Sequence, residues 1–264
     1  MRVFAVFIVT LFALTAQAQP PNTTAVAWMQ TSAEYQANVM QTYKTATAKL
    51  PLLVRLNKTA LLEQLQQKNS ANLPKALLID LDDTLISTSA YQGQLIKHRQ
   101  SNTESRFTQW AATESAPLLP EALNLIKKAT QLNVRVLLIS NRICRDTPRD
   151  PCPAKTQTLA MLKKLGLNFP RNQMFFQNEY AEWGADQSSR REFIAQRYLV
   201  LMIVADDLNQ MIPDMTSLPS ESRLKQLQQY RSLIGEQWFI LPNPVAGSWR
   251  TNLPDNLQSI IQGY

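Results

Sequence analysis

Glycine is scarce in this chain, six residues among 264. No glycine-rich loop of the kind that cradles phosphates is present. Any phosphate must therefore be held by a metal, by side chains or by backbone N–H groups at helix starts. Histidine is scarcer: His98 is the only one. With two cysteines and no Cys-x-x-Cys, a zinc centre of histidines and thiolates is excluded. No apolar run reaches the roughly 20 residues that span a bilayer. Internal repeats and low-complexity tracts are missing as well, so the length suits one large α/β domain or two small ones.

The N-terminus reads as an address. Met1-Arg2 precedes an apolar run from Val3 to Leu14 and then Ala16-Gln17-Ala18. A short basic start, an apolar core and an A-x-A site form a secretory signal peptide. Cleavage is expected after Ala18, and no cysteine follows there to carry a lipid. The expectation is a periplasmic or secreted protein with a single domain over 19–264, in which 19–73 forms a helical N-terminal or cap part. Cys144 and Cys152 bracket a short, turn-rich loop. Export favours a disulfide there over two free thiols. The formal charge is +7, or +6 once Arg2 leaves with the signal peptide (7 − 1). This balance suits an anionic small-molecule substrate or an anionic envelope surface. The basic residues are dispersed without an aromatic stripe, so no nucleic-acid polymer is expected as partner. A homodimer stays open.

Helical spacing runs over Thr24–Lys49, Lys58–Gln67, Pro120–Leu132, Ala154–Leu165, Ser189–Arg197 and Ser222–Ile234. Between these lie strand-like runs: Ala76–Asp80, Val134–Ile139, Gln173–Phe176, Leu199–Ala205 and Gln237–Leu241. Alternating strands and helices predict an α/β fold with a mostly parallel sheet covered on both faces.

Three of the runs end in polar groups. Ala76-Leu-Leu-Ile leads into Asp80 and Asp82. Two acids at the mouth of a buried strand are costly without a partner, and they sit where open α/β sheets bind ligands. A divalent metal and a phosphate would use them; an acidic turn is the plainer alternative. Val134–Ile139 leads into Ser140-Asn141-Arg142. A hydroxyl and free N–H groups there suit either a phosphate oxygen or a helix N-cap. Leu199–Ala205 leads into Asp206-Asp207.

Asp80-x-Asp82-x-Thr84, Ser140 and Asp206-Asp207, in that order, resemble motifs I, II and IV of the haloacid dehalogenase (HAD) superfamily. Asp80 to Tyr91 is similar to the extended first motif of bacterial class C acid phosphatases, HAD subfamily IIIB. Trp28-Met-Gln-Thr-Ser-Ala-Glu-Tyr35, Leu119-Pro120 and Gly235 through Trp249 resemble further segments of that family, so the likeness runs from Ala27 to about Trp249. It implies a HAD-like three-layer αβα sandwich and a Mg2+-dependent phosphomonoesterase. Asp80 would be the nucleophile and Asp82 the acid/base. The metal would lie on Asp80, Asp82, Asp206 and Asp207, and the phosphate on Ser140 and Asn141. Aromatics in this chain read mainly as core; the resemblance nominates Tyr91 as a substrate contact. Two departures stand out. Gln210 replaces an expected acid, and Asn172–Ile203 holds no lysine for the family's third motif, leaving Arg190, preferred over Arg191, as the cation. A non-catalytic phosphate-ligand binder or storage-type protein is the alternative that these departures favour.

Overall fold

The computed structural model describes residues 22–254 and 256–263, so the expected signal peptide, Met1–Ala18, lies outside the described residues. Five parallel strands form one sheet: β1 (Lys75–Asp80), β2 (Arg135–Ile143), β3 (Met174–Gln177), β4 (Leu199–Ala205) and β5 (Trp238–Ile240). Their order is β3-β2-β1-β4-β5. Among the described residues the helices are α1 (Thr23–Thr31), α2 (Ala33–Leu56), α3 (Ser89–Lys97), α4 (Glu104–Ala111), α5 (Ala122–Gln131), α6 (Pro153–Lys164), α7 (Ser188–Ala195) and α8 (Ser220–Gln229). The α/β class and the parallel sheet are as expected.

The continuous apolar runs follow from burial on both faces. Leu77 and Ile79 join a core with Tyr43, Leu50 and Leu125, from α2 and α5. Ala76 and Leu78 join the opposite core with Leu61, Ile194 and Trp238. Each fully buried Leu or Ile contributes about 1.5–3 kcal/mol, so β1 is pinned from both sides. The pairing of β1 with β4 is irregular: Ala76 opposes Val200, but Leu77 opposes Met202. The extra residue, Leu201, reverses the facing of β4 beyond it, so Leu201 and Met202 both enter the first core. Such bulges re-aim the side chains beyond them, here Asp206.

Two helical expectations change. The run Thr24–Lys49 is broken at Ser32, which is extended (φ −81°, ψ 129°) and accepts the Tyr35 N–H on its Oγ at 3.0 Å, capping α2. Beyond it, Tyr35, Val39, Tyr43, Ala46, Leu50 and Leu53 form one buried stripe at spacings of three and four. The run Lys58–Gln67 is a helix only as the 3-10 turn Leu62–Gln64. Its backbone is claimed by the sheet and its flanks. Ala60 N–H donates to Val200 O at 2.6 Å, and Trp238 Nε1 donates to Ala60 O at 2.8 Å. The Gln64 amide donates to the carbonyls of Ala195 and Tyr198. Tertiary bonds outweigh helix propensity there.

β1 lies between β2 and β4, so the chain reverses direction across the sheet at β1. Ligands bind outside the carboxyl ends of strands at such a switch point. Asp80 is level with Ile139, and Ile79 with Val204, so all three motif-bearing strand ends open into one crevice.

Candidate active site

A cavity of about 670 Å³ occupies that crevice. Its walls come from the turn after β1, the ends of β2 and β4, α3 and α4, and the loop after β5. Residues 22–73 contribute nothing to the lining; α2 instead packs on α5, β4 and β5.

Asp80 ends β1 and is buried. Burial foremost, then the charges of Asp206 and Asp82, holds its carboxyl well above the usual carboxylate range. The turn beyond it is tight: Leu85 and Ile86 N–H both donate to Leu81 O. Asp83 takes the left-handed conformation (φ 54°), which aspartate tolerates better than most residues. Its carboxylate accepts Thr88 N–H at 2.8 Å and Thr88 Oγ1 at 2.7 Å, locking the turn. Burial raises Asp83 to about 6.

Asp82 reaches the cavity with its carboxylate held by a residue to which the motifs assign no role. Arg142 donates Nε to Asp82 Oδ2 at 3.0 Å and Nη2 to Oδ1 at 2.8 Å. Arg142 Nη1 donates to Thr158 Oγ1 at 3.0 Å. A two-point fork fixes direction as well as distance, so Arg142 is a positioning residue for Asp82.

Arg142 is itself braced by the disulfide. Cys144 lies two residues beyond it and bonds Cys152, which immediately precedes α6, the helix of Thr158. The expected pairing is present. Replacing both cysteines by serine is expected to lower stability by about 2–3 kcal/mol, the loop-entropy cost for so short a ring. Urea unfolding of the oxidised wild type against the double variant measures it; identical midpoints would show the bridge to be idle.

Asp206 follows β4. Burial first, then the charge of Asp83, raises it to about 7. Asn243 Nδ2 donates to its Oδ2 at 2.7 Å and Thr84 Oγ1 to its Oδ1 at 3.4 Å. Asn243 also reaches Asp83 Oδ2 at 3.3 Å, tying two acids to the loop after β5. Asp207, expected as a metal ligand, lines the cavity but is engaged by protein groups. Its carboxylate accepts Asn209 N–H at 3.0 Å, Ser248 Oγ at 2.6 Å and Ser248 N–H, with Arg223 at 3.5 Å. Those oxygens cap a turn and fasten the C-terminal loop. Gln210 completes that cap: its Oε1 accepts the N–H groups of Asp206 and Asp207 at 3.2 and 3.1 Å. The departure from the expected acid thus has a structural use.

The expected phosphate ligands divide. Asn141 lines the cavity, whereas Ser140 is buried beneath it. Ser140 Oγ accepts Arg142 N–H at 3.1 Å, and its carbonyl accepts Arg190 Nη1 at 2.5 Å. Arg190 also donates to Asn141 Oδ1 at 2.6 Å and Gly184 O at 2.9 Å. Burial lowers Arg190 to about 10, with Asp80 opposing the shift, so it is charged at neutral pH. Arg191 points elsewhere, pairing with Glu63 at 2.7 Å. The side chain that touches Asp80 is one the sequence does not signal. Buried Gln187 donates Nε2 to Asp80 Oδ1 and to Asn141 Oδ1, both at 3.4 Å. Tyr91 is buried off the cavity, its hydroxyl donating to Asn102 at 2.6 Å and its ring against Phe107 and Trp110. α3 turns it inward, and Phe107 is the aromatic ring on the cavity wall.

The donors beside Asp80 are all oxygens, which suit a hard divalent cation. Asp80 and Asp206 are short of positive charge, because Arg142 is committed to Asp82. Among the described residues no group of three or more acids, histidines or cysteines is placed to hold a metal ion. A divalent cation that takes one or two carboxylates and several waters would fit Asp80 and Asp206. Without metal the raised acids set a pH dependence. Asp83 and Asp206 titrate at about 6 and about 7 when folded, against about 3.9 unfolded. The folded state then binds more protons between those values, so its stability falls as pH rises through them. Chelated protein is expected to melt several degrees lower at about pH 8 than at about pH 5, with Mg2+ recovering the loss at the higher pH. Melts in chelator that are equal at both pH values would contradict this.

The model of one protein family, the HAD superfamily, subfamily IIIB (Acid phosphatase), matches residues 8–249. Among solved structures, the class C acid phosphatase from Bacillus anthracis with tungstate bound is 21% identical with a TM-score of 0.73, over 87% of this chain and 86% of that one. Another structure of the class C acid phosphatase from Bacillus anthracis gives 22% and 0.70 over the same shares. At these identities the structural likeness speaks to the fold.

Proposed function

The chain belongs to subfamily IIIB of the HAD superfamily, the acid phosphatases, and on that premise we propose that it is an exported, Mg2+-dependent phosphomonoesterase working through an aspartyl-phosphate. The observation that carries the reading is Asp80, buried at the end of β1 and facing a cavity whose wall also holds Asp82 and Asp206.

Asp80 attacks phosphorus, and the bond from phosphorus to the leaving oxygen breaks. Asp82 gives its proton to that oxygen. Water then attacks the phosphoryl group on Asp80 and yields a proton to Asp82, and the bond from Asp80 to phosphorus breaks. Gln187 orients Asp80, Arg142 orients Asp82, and Asn141, braced by Arg190, meets a phosphoryl oxygen. Asp80, the Asp82 carbonyl and Asp206 would hold Mg2+, which when bound supplies charge that lets an anionic phosphate approach carboxylates. Export is supported by the leader-like N-terminus and the disulfide. No helix among the described residues is long and apolar enough to cross a membrane.

Turnover of phenyl phosphate, measured with Mg2+ and then with excess chelator, tests the proposal. Turnover that needs the metal is expected. Turnover unaffected by chelator would remove the metal, and none under any condition would remove the catalytic reading.

A further inference from the structure

The chain carries a formal charge of +7, yet its catalytic cavity is walled by the opposite sign. The charged lining is seven aspartates and one arginine. Arg142, the arginine, is spent on Asp82. Asp207 is held by Ser248 and Arg223, and Asp83 by Thr88 and Asn243. Asp80 and Asp206 lie where the metal is proposed. Asp186 and Asp214 remain. Both are exposed, and neither forms an ion pair among the described residues.

These two come from separate loops, one before α7 and one after β4. Asp186 Oδ1 accepts Ser188 N–H at 2.7 Å, which fixes its direction. Asp214 sits at φ 60° ahead of the 3-10 turn Met215–Ser217. The uncharged residues around them, among them Asn102, Thr216 and Ser217, offer amides and hydroxyls but no cation. A phosphoryl group entering the cavity brings its leaving group past this rim. A second phosphate or a carboxylate on that leaving group meets two exposed carboxylates, because the cation that acts on Asp186, Arg190, is fully buried and lies off the cavity lining.

We propose that Asp186 and Asp214 make the mouth of the cavity a charge filter, so that the substrates are phosphomonoesters with a neutral or cationic leaving group. The inference rests on the phosphomonoesterase reading and names the substrate class of that site. Like charges repel more strongly beside a protein surface than in free water, and salt screens them. The discrimination is therefore salt-dependent. It adds to, and does not replace, the attraction of the basic surface for the phosphate itself.

The test uses three inert phosphonates of one shape: benzylphosphonate, its aminomethyl derivative and its carboxymethyl derivative. Binding to the whole protein in Mg2+ is measured by calorimetry, and turnover of the matching phenyl phosphates is measured alongside. The aminomethyl compound is expected to bind about tenfold tighter than the carboxymethyl one at low salt, with the gap closing at high salt. In Asp186→Asn/Asp214→Asn the three affinities should fall within about twofold of one another. Asparagine keeps the Ser188 hydrogen bond and tolerates the left-handed backbone of Asp214, so the variant should fold. Ordered affinities without turnover would remove the catalytic reading and leave the filter standing. Turnover with affinities indifferent to charge, or an order unchanged in the double variant, would overturn the filter and leave catalysis intact.

Discussion

Asp80→Asn is expected to reduce turnover by ~10³-fold or more while leaving the fold in place. An amide is nearly isosteric with the carboxylate but cannot attack phosphorus. Gln187 Nε2 meets Asp80 Oδ1 at 3.4 Å, and Asn retains an oxygen for that contact. The stability change should run the other way. Burial and the charges of Asp206 and Asp82 push the Asp80 carboxyl up. The ionised form therefore strains the metal-free protein at neutral pH, and the sign follows from linkage. Metal-free Asp80→Asn should melt above metal-free wild type at neutral pH, and the difference should vanish in acid, where both states hold the proton. Added Mg2+ should stabilise the wild type more than the variant, because the variant has lost an anionic ligand. Turnover within tenfold of wild type would end the role of Asp80 as nucleophile. A variant that melts lower in chelator would contradict the electrostatic account of its burial.

The parts of the fold that can be read in advance are those in which one physical cause acts alone. β1 and β4 are buried on both faces, so their apolar runs are continuous and end sharply at Asp80 and Asp206. Where causes compete, reading stops short. Lys58–Gln67 has helical spacing, but its backbone bonds go to Val200 and Trp238. The bulge at Leu201 leaves no mark, since both neighbours are apolar either way.

The site divides along the same line. Asp80, Asp82, Asn141 and Asp206 face the cavity because strand ends carry them there. Asp207 also lines the cavity beside Asp206, but the Ser248 N–H and hydroxyl capture its carboxylate. Tyr91 is close to Asp80 in sequence, but α3 directs its ring into the core. The partners that orient the acids come from distant segments. Arg142 is 60 residues from Asp82, Gln187 is 107 from Asp80, and Asn243 is 37 from Asp206. Arg142 and Asn243 lie within segments that the family resemblance covers, yet only the fold shows what each side chain holds. Gln187 has no spacing or neighbour that marks it.

Arg190 and Arg191 offer the sharpest separation of chemistry from stability, because they are adjacent, equally buried and turned to different partners. Arg190 grips the Ser140 carbonyl and the Asn141 amide, and its charge favours ionised Asp80. Arg191 grips Glu63, whose side chain is 6% exposed, and the Asn209 carbonyl. Arg190→Ala is therefore expected to lower kcat/KM by ~10²-fold, the scale of losing one preorganised electrostatic contributor. Arg190→Lys should recover little of the loss, since an ammonium cannot bridge Ser140 O and Asn141 Oδ1 as a planar fork does. Arg191→Ala strands a buried carboxylate at a cost of about 3–5 kcal/mol, so its signature is a lower midpoint in urea with near-normal kcat for the folded fraction. Adding Glu63→Ala to Arg191→Ala should restore part of that stability, because the orphaned charge is gone. The two effects must separate for the assignment to hold. Tolerance at both positions would place the cation that serves the phosphate elsewhere. A fall in kcat at Arg191 without a loss of stability would exchange the two roles.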